Sequence, residues 1–185
     1  MCIKKFFAEL NTPKKILLSV VGLIVLLVAI GIFGPAMKVE RSIVINKSEG
    51  QVFNYLLSMR NQEQWSPWLK MDPEAKVKYK GDARVGAVSS WDGNDDLGAG
   101  EQEIKAIKKN ERIDMELRFT RPMEGTSQAW FITEPVEGQK NQTKVTWGFT
   151  GEKKLPCSAM TVFMKPYMNH MFDSGLKDLK AVLEK

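Results

Sequence analysis

The sequence predicts an α+β domain, a seven-stranded antiparallel sheet against one long C-terminal helix, preceded by a single transmembrane helix. Three observations predict it. Ile16 to Phe33 is an uncharged apolar run, and the next ion after it is Lys38. Seven strand-like segments follow, and the last six have only turn residues between them. Ser158 to Lys185 then carries the one long amphipathic helical pattern.

The chain divides into a basic segment (1–15), a membrane span (16–37) and a folded domain (38–185). A span needs about 20 apolar residues, and Gly34-Pro35 is a natural stop. A cleaved leader ending at Ala36 is the competing reading, although the apolar run exceeds the usual leader core of about 7–15 residues. Lys4, Lys5, Lys14 and Lys15 precede the span, so the charge rule puts the N-terminus in the cytoplasm and the domain outside it. Those lysines against Glu9 make residues 1–37 net +3, which leaves +2 of the total +5 for the domain. A basic balance placed this way argues against a nucleic-acid partner. Cys2 and Cys157 flank the span, and no disulfide within the chain is expected.

The domain opens on Val39–Asn46, rich in β-branched residues and hence a strand. Ser48 with Gln51 forms a capping box, and Val52, Phe53, Tyr55, Leu56 and Leu57 give a short helix. Asn61 to Trp68 predicts a second short helix, stopped by Pro67. The six later strands are expected at 75–80, 87–92, 100–108, 112–121, 127–134 and 143–150, an antiparallel meander. In the last helix Phe172, Leu176, Leu179 and Leu183 share a stripe, and Pro166 should kink or divide it. A sheet must bury one face, and this helix is the only long element available to cover it. A pocket between the two is the expected consequence.

This order of elements resembles the START-like, or SRPBCC, superfamily, in particular its polyketide cyclase/dehydrase and lipid-transport branch. The residues that carry the resemblance are Val39–Asn46 leading into Gln51-Val-Phe53, Trp65-Ser-Pro-Trp68, the Gly86 strand entry, and Gly175–Lys180. It implies a helix-grip fold with a hydrophobic cavity under the last helix, and it brings no shared catalytic residue with it.

Methionine is flexible and polarizable, and Met160, Met164 and Met168 repeat every four residues. With Tyr167, His170 and Phe172 on the same helix, and Trp91, Phe119, Trp130 and Trp147 on the strands, they form the expected lining. The same residues could equally fill an ordinary core. The function expected is a membrane-anchored module binding a hydrophobic small molecule or lipid, with no cofactor. The alternatives are a cyclase- or hydrolase-type enzyme in the same cavity, or a protein-interaction module with a filled core. For the enzyme, the titratable candidates are His170, Glu101, Glu103, Asp114, Glu116 and Arg118. Cys157, beside Pro156 at a helix start, reads as a structural thiol. One histidine and two separated cysteines cannot supply a zinc site. Asp92, Asn94, Asp96 and Glu103 copy part of a calcium loop, but Leu97 replaces its glycine, so an acidic turn is expected. Trp65 and Trp68 suit either the membrane interface or the core. Asn141-Gln-Thr143 matches a glycosylation pattern, which recurs often by chance.

Overall fold

The computed structural model describes residues 12–33, 36–152 and 157–185, with side-chain surroundings left out at 27, 30–33 and 157–163. Helix α1 spans Thr12–Phe33. The expected span 16–37 therefore lies partly outside the described residues, and among those described no helix is long and apolar enough to cross a membrane. Large apolar side chains on α1 are exposed nonetheless, Leu17 at 63% and Val25 at 60%.

The domain's strands are β1 (Lys38–Ile45), β2 (Lys76–Lys80), β3 (Val88–Asp92), β4 (Ala99–Lys108), β5 (Arg112–Arg121), β6 (Gly125–Val136) and β7 (Gln139–Thr150). They form one antiparallel sheet in the order β1-β7-β6-β5-β4-β3-β2. The meander from β2 to β7 follows from short turns, which allow each strand only its predecessor as partner. β1 then pairs along all of its length with β7, from Lys38 opposite Thr150 to Ile45 opposite Thr143.

Helix α2 (Glu49–Leu57) buries Val52, Phe53 and Leu56. At its start the backbone N–H and the hydroxyl of Ser48 both donate to Gln51 Oε1, at 3.3 and 2.9 Å. The expected helix at 61–68 is broken up instead. A 3-10 turn (Met59–Asn61) runs into the single-turn α3 (Gln62–Trp65), and another 3-10 turn follows at Leu69–Met71. Ser66 is extended because Pro67 excludes the helical region for its predecessor.

The last helix, α4 (Cys157–Leu183), runs through Pro166 without dividing. Pro166 removes one backbone bond, while Phe172, Leu176 and Leu179, all at most 2% exposed, lock the segment beyond it onto the sheet. Gly175 sets the closeness of that packing. A Cβ there would lie 2.8 Å from both Pro67 and Trp147.

Polar ties hold α4 to the edge strand. The Arg41 guanidinium donates to both oxygens of Asp173 at 2.6 and 2.7 Å. Lys180 Nζ donates to the Val44 carbonyl at 2.6 Å, and the Asn46 N–H donates to Glu184 at 2.6 Å. Both partners of the Arg41–Asp173 pair are more than a third exposed or close to it. Arg41→Ala is therefore expected to cost at most about 1 kcal/mol. That loss should shrink in high salt, as urea titrations at two ionic strengths would show.

Acid should weaken the same fold. The carboxyls of Glu40, Glu103 and Glu184 are held below the ordinary carboxylate range, chiefly by Lys38, Arg118 and the Asn46 N–H respectively. A carboxyl lowered in the folded state stabilises it above the unfolded pKa of about 4.3. That contribution is lost as pH falls through the folded values. The urea midpoint should thus be level from neutrality to about pH 5 and fall below that. A Glu184→Gln variant should show a shallower fall.

Candidate functional site

Between the concave face of the sheet and α4 lies a cavity of about 550 Å³. Its sheet wall alternates by strand geometry, every second residue facing inward. β5 contributes Met115, Leu117 and Phe119, β6 contributes Ser127, Ala129 and Phe131, and β7 contributes Trp147 and Phe149. β3 adds Ser89 and Trp91. Met164, Tyr167, Met168 and Phe172 of α4 form the roof, and Met59, Trp68, Leu69 and Met71 close one side. The aromatic rings brace one another. Trp147 stacks on Phe172 with centroids 4.1 Å apart, and Trp91 meets Phe119 edge-on at 5.9 Å.

Polar groups are few inside. Gln102 Nε2 donates to Gln62 Oε1 at 2.7 Å, so this amide pair satisfies part of its own demand within the wall. Outside the lining, the Tyr79 hydroxyl donates to Glu63 at 2.6 Å. Burial, then the Glu63 carboxylate, pushes the Tyr79 phenol up, so it stays neutral. Charged lining residues are Asp96 and Glu124 on turns, Arg121 at the end of β5 and Glu152 just beyond β7. The arrangement solvates an apolar body and offers polar contacts mainly at its rim.

A family profile described as polyketide cyclase / dehydrase and lipid transport matches residues 36–184. The chain belongs to this family. No curated protein matches it. Solved structures share its fold. The Aha1 dimer structure from Colwellia psychrerythraea is 18% identical, covering 80% of this chain and 96% of its own, with a TM-score of 0.56. A protein from Nitrosospira multiformis is 22% identical, covering 78% and 94%, with a TM-score of 0.57. One from Helicobacter pylori is 10% identical, covering 83% and 90%, with a TM-score of 0.62. The seven-stranded sheet gripping α4 is the helix-grip, START-like arrangement.

In this family member, seven of the ten residues expected to line the cavity do so: Trp91, Phe119, Trp147, Met164, Tyr167, Met168 and Phe172. The side chain of Met160 lies outside the described residues. Two expectations are corrected. His170 is exposed on α4, away from the cavity, because it falls between the inward-facing Met168 and Phe172. Trp130 faces the other side of the sheet, since its neighbours Ala129 and Phe131 face in. There its ring covers Gly148, its cross-strand partner, with Lys38 and Arg112 5.6 and 5.4 Å from the ring centroid. A Cβ on Gly148 would fall 2.0 Å from Trp130. Gly148→Ala is thus expected to destabilise by about 1–3 kcal/mol. Most of that loss should vanish in a Trp130→Ala background, since the clash partner is gone. Thermal melts of the four proteins in this cycle would show it.

The titratable groups considered for catalysis are also outside the cavity. Arg118 donates to Glu101 at 2.7 Å and to Glu103 at 2.9 Å, and also bonds Glu116, all on the outer face. Asp114 is held by Arg112. The calcium-like loop is an acidic turn: Asn94 Oδ1 accepts from the N–H groups of Asp96 and Leu97 at 3.0 Å, and Asp92 accepts from Arg121 at 2.6 Å. Among the described residues no cluster of three metal-binding side chains occurs. Trp65 is a core residue, 1% exposed, and Trp68 lines the cavity.

Sequence reasoning missed Met59, Gln62, Gln102, Ala129 and Phe149. Met115, Leu117 and Phe119 alternate visibly and could have been taken together. Ser127, Ala129 and Phe131 share a face but no common character, so β6 carries no legible inward pattern.

Proposed function

We propose that this chain is a membrane-tethered binding protein for an apolar small molecule or lipid, held between the sheet and α4. The observation that carries this reading is the cavity itself. Its volume falls in the range of small-molecule sites, about 300–1,000 Å³, and its walls are methionine, aromatic and aliphatic side chains. The family's description, which includes lipid transport, agrees with it. The tether is proposed from the uncharged run between Ile16 and Met37 and from the exposed apolar side chains of α1. The lysines before the run support a cytoplasmic N-terminus and an extracytoplasmic domain.

Native mass spectrometry of the full chain released from detergent, paired with mass spectrometry of its organic extract, tests the reading. A stoichiometric apolar adduct supports it and reveals the ligand's class. A clean mass, together with no uptake of a fluorescent fatty acid at micromolar concentration, would sink it.

A further inference from the structure

The exposed lining residues of the cavity, which mark its rim, and the start of the domain lie at the same end of the sheet. β1 begins there at Lys38, opposite Thr150. The same edge carries the β3–β4 turn, the β5–β6 turn at 122–124 and the end of β7, as the strand registers require. Met37 lines the cavity and its carbonyl accepts from the Gly151 N–H at 2.9 Å. Helix α4 runs alongside β1 from this end, since Arg41 meets Asp173 and Asn46 meets Glu184. Met164, nine residues before Asp173, therefore sits about 13 Å further toward the open end.

Three apolar or amphipathic side chains at this rim are exposed: Met123 at 47%, Met164 at 37% and Tyr167 at 46%. All three also line the cavity. The distance to α1 is short. Three residues lie between Phe33 and Met37, and the four steps of chain limit their reach to about 14 Å. Helix α1 also touches α4.

We propose that this rim is a membrane-docking surface, so that the cavity opens onto the bilayer rather than into water. This rests on the tether proposed above. The occupant is a lipid surface for two reasons. The short link keeps the mouth within about a headgroup layer or two of the end of α1. Methionine and tyrosine at the rim suit that interface, where an amphipathic ring has both an apolar body and a wet tip. The rim mixes Arg121 with Asp96, Glu124 and Glu152, so docking relies on the link and on apolar contact rather than on basic attraction.

The test uses the full chain in phosphatidylcholine vesicles, with Cys2→Ser and Cys157→Ser. An environment-sensitive fluorophore is placed on Met123→Cys, or on Glu124→Cys as a second rim site. The control site is Lys109→Cys, exposed in the β4–β5 turn at the far end of the sheet. Lipids carrying a quencher near the headgroup should quench the rim label several-fold more than the Lys109 label, with little change on adding salt. Equal, weak quenching at both sites in a chain that resists carbonate extraction overturns the docking alone. Release of the chain by carbonate overturns the tether, and the docking with it.

Discussion

Trp147→Ala is expected to remove about 3–5 kcal/mol of stability, the range for truncating a buried tryptophan. Trp147 is 7% exposed and stands where three elements meet. Its ring stacks on Phe172 of α4, takes the edge of Trp65 at 5.2 Å, and lies 5.7 Å from Phe131 of β6. Gly175 approaches the same ring from α4. Alanine leaves a void beside an existing cavity, and the rigid sheet cannot collapse to fill it. Domains are typically stable by only about 5–15 kcal/mol, so the loss is a large fraction of the whole. Urea titration followed by near-ultraviolet circular dichroism measures it. A cost below about 1 kcal/mol would mean that the helix is held by its polar edge contacts rather than by this aromatic cluster.

Ala129→Trp should lower affinity for a fluorescent fatty acid at least about tenfold, or about 1.4 kcal/mol. It should leave the fold nearly as stable as before. Ala129 is 5% exposed, on the cavity floor, between Met115 of β5 and Phe149 of β7. A large side chain there projects into open volume instead of into packed neighbours, which limits overpacking. It also leaves the rim untouched, so a loss of affinity would locate the ligand inside the cavity. Met168→Trp, which fills from the roof, should act in the same direction. Unchanged affinity in both, with folding intact, would place the bound probe elsewhere.

Much of the fold was legible because it follows from local rules. Turn residues after Lys80, Asp92, Lys108 and Arg121 delimit strands close to their observed limits. The stripe at Phe172, Leu176 and Leu179 marks the face of α4 that is buried. The site was less legible because its lining depends on parity. Trp130 and Phe131 are adjacent aromatics on one strand, and only the register decides which faces the cavity. Glycine decides it physically: Gly148 leaves room for the Trp130 ring on the outer face. Pro166 shows the opposite case. A local rule predicts a kink or a division, and the helix is not divided, because tertiary packing further along it outweighs one missing hydrogen bond.

By itself, the amino-acid sequence determined the order of elements, the meander, the amphipathic C-terminal helix and the apolar character of whatever lies beneath it. Each depends on contacts or propensities within a few residues. The tertiary structure alone decided that β1 closes on β7, that Gly175 lets α4 settle against Trp147 and Pro67, and which aromatics face inward. It also decided that the turns lining the cavity lie at the end where the chain enters the domain. Those are relations between different elements, such as Lys38 with Thr150 and Gly175 with Pro67 and Trp147, and no local pattern encodes them, because only the packed sheet and helix bring them within reach.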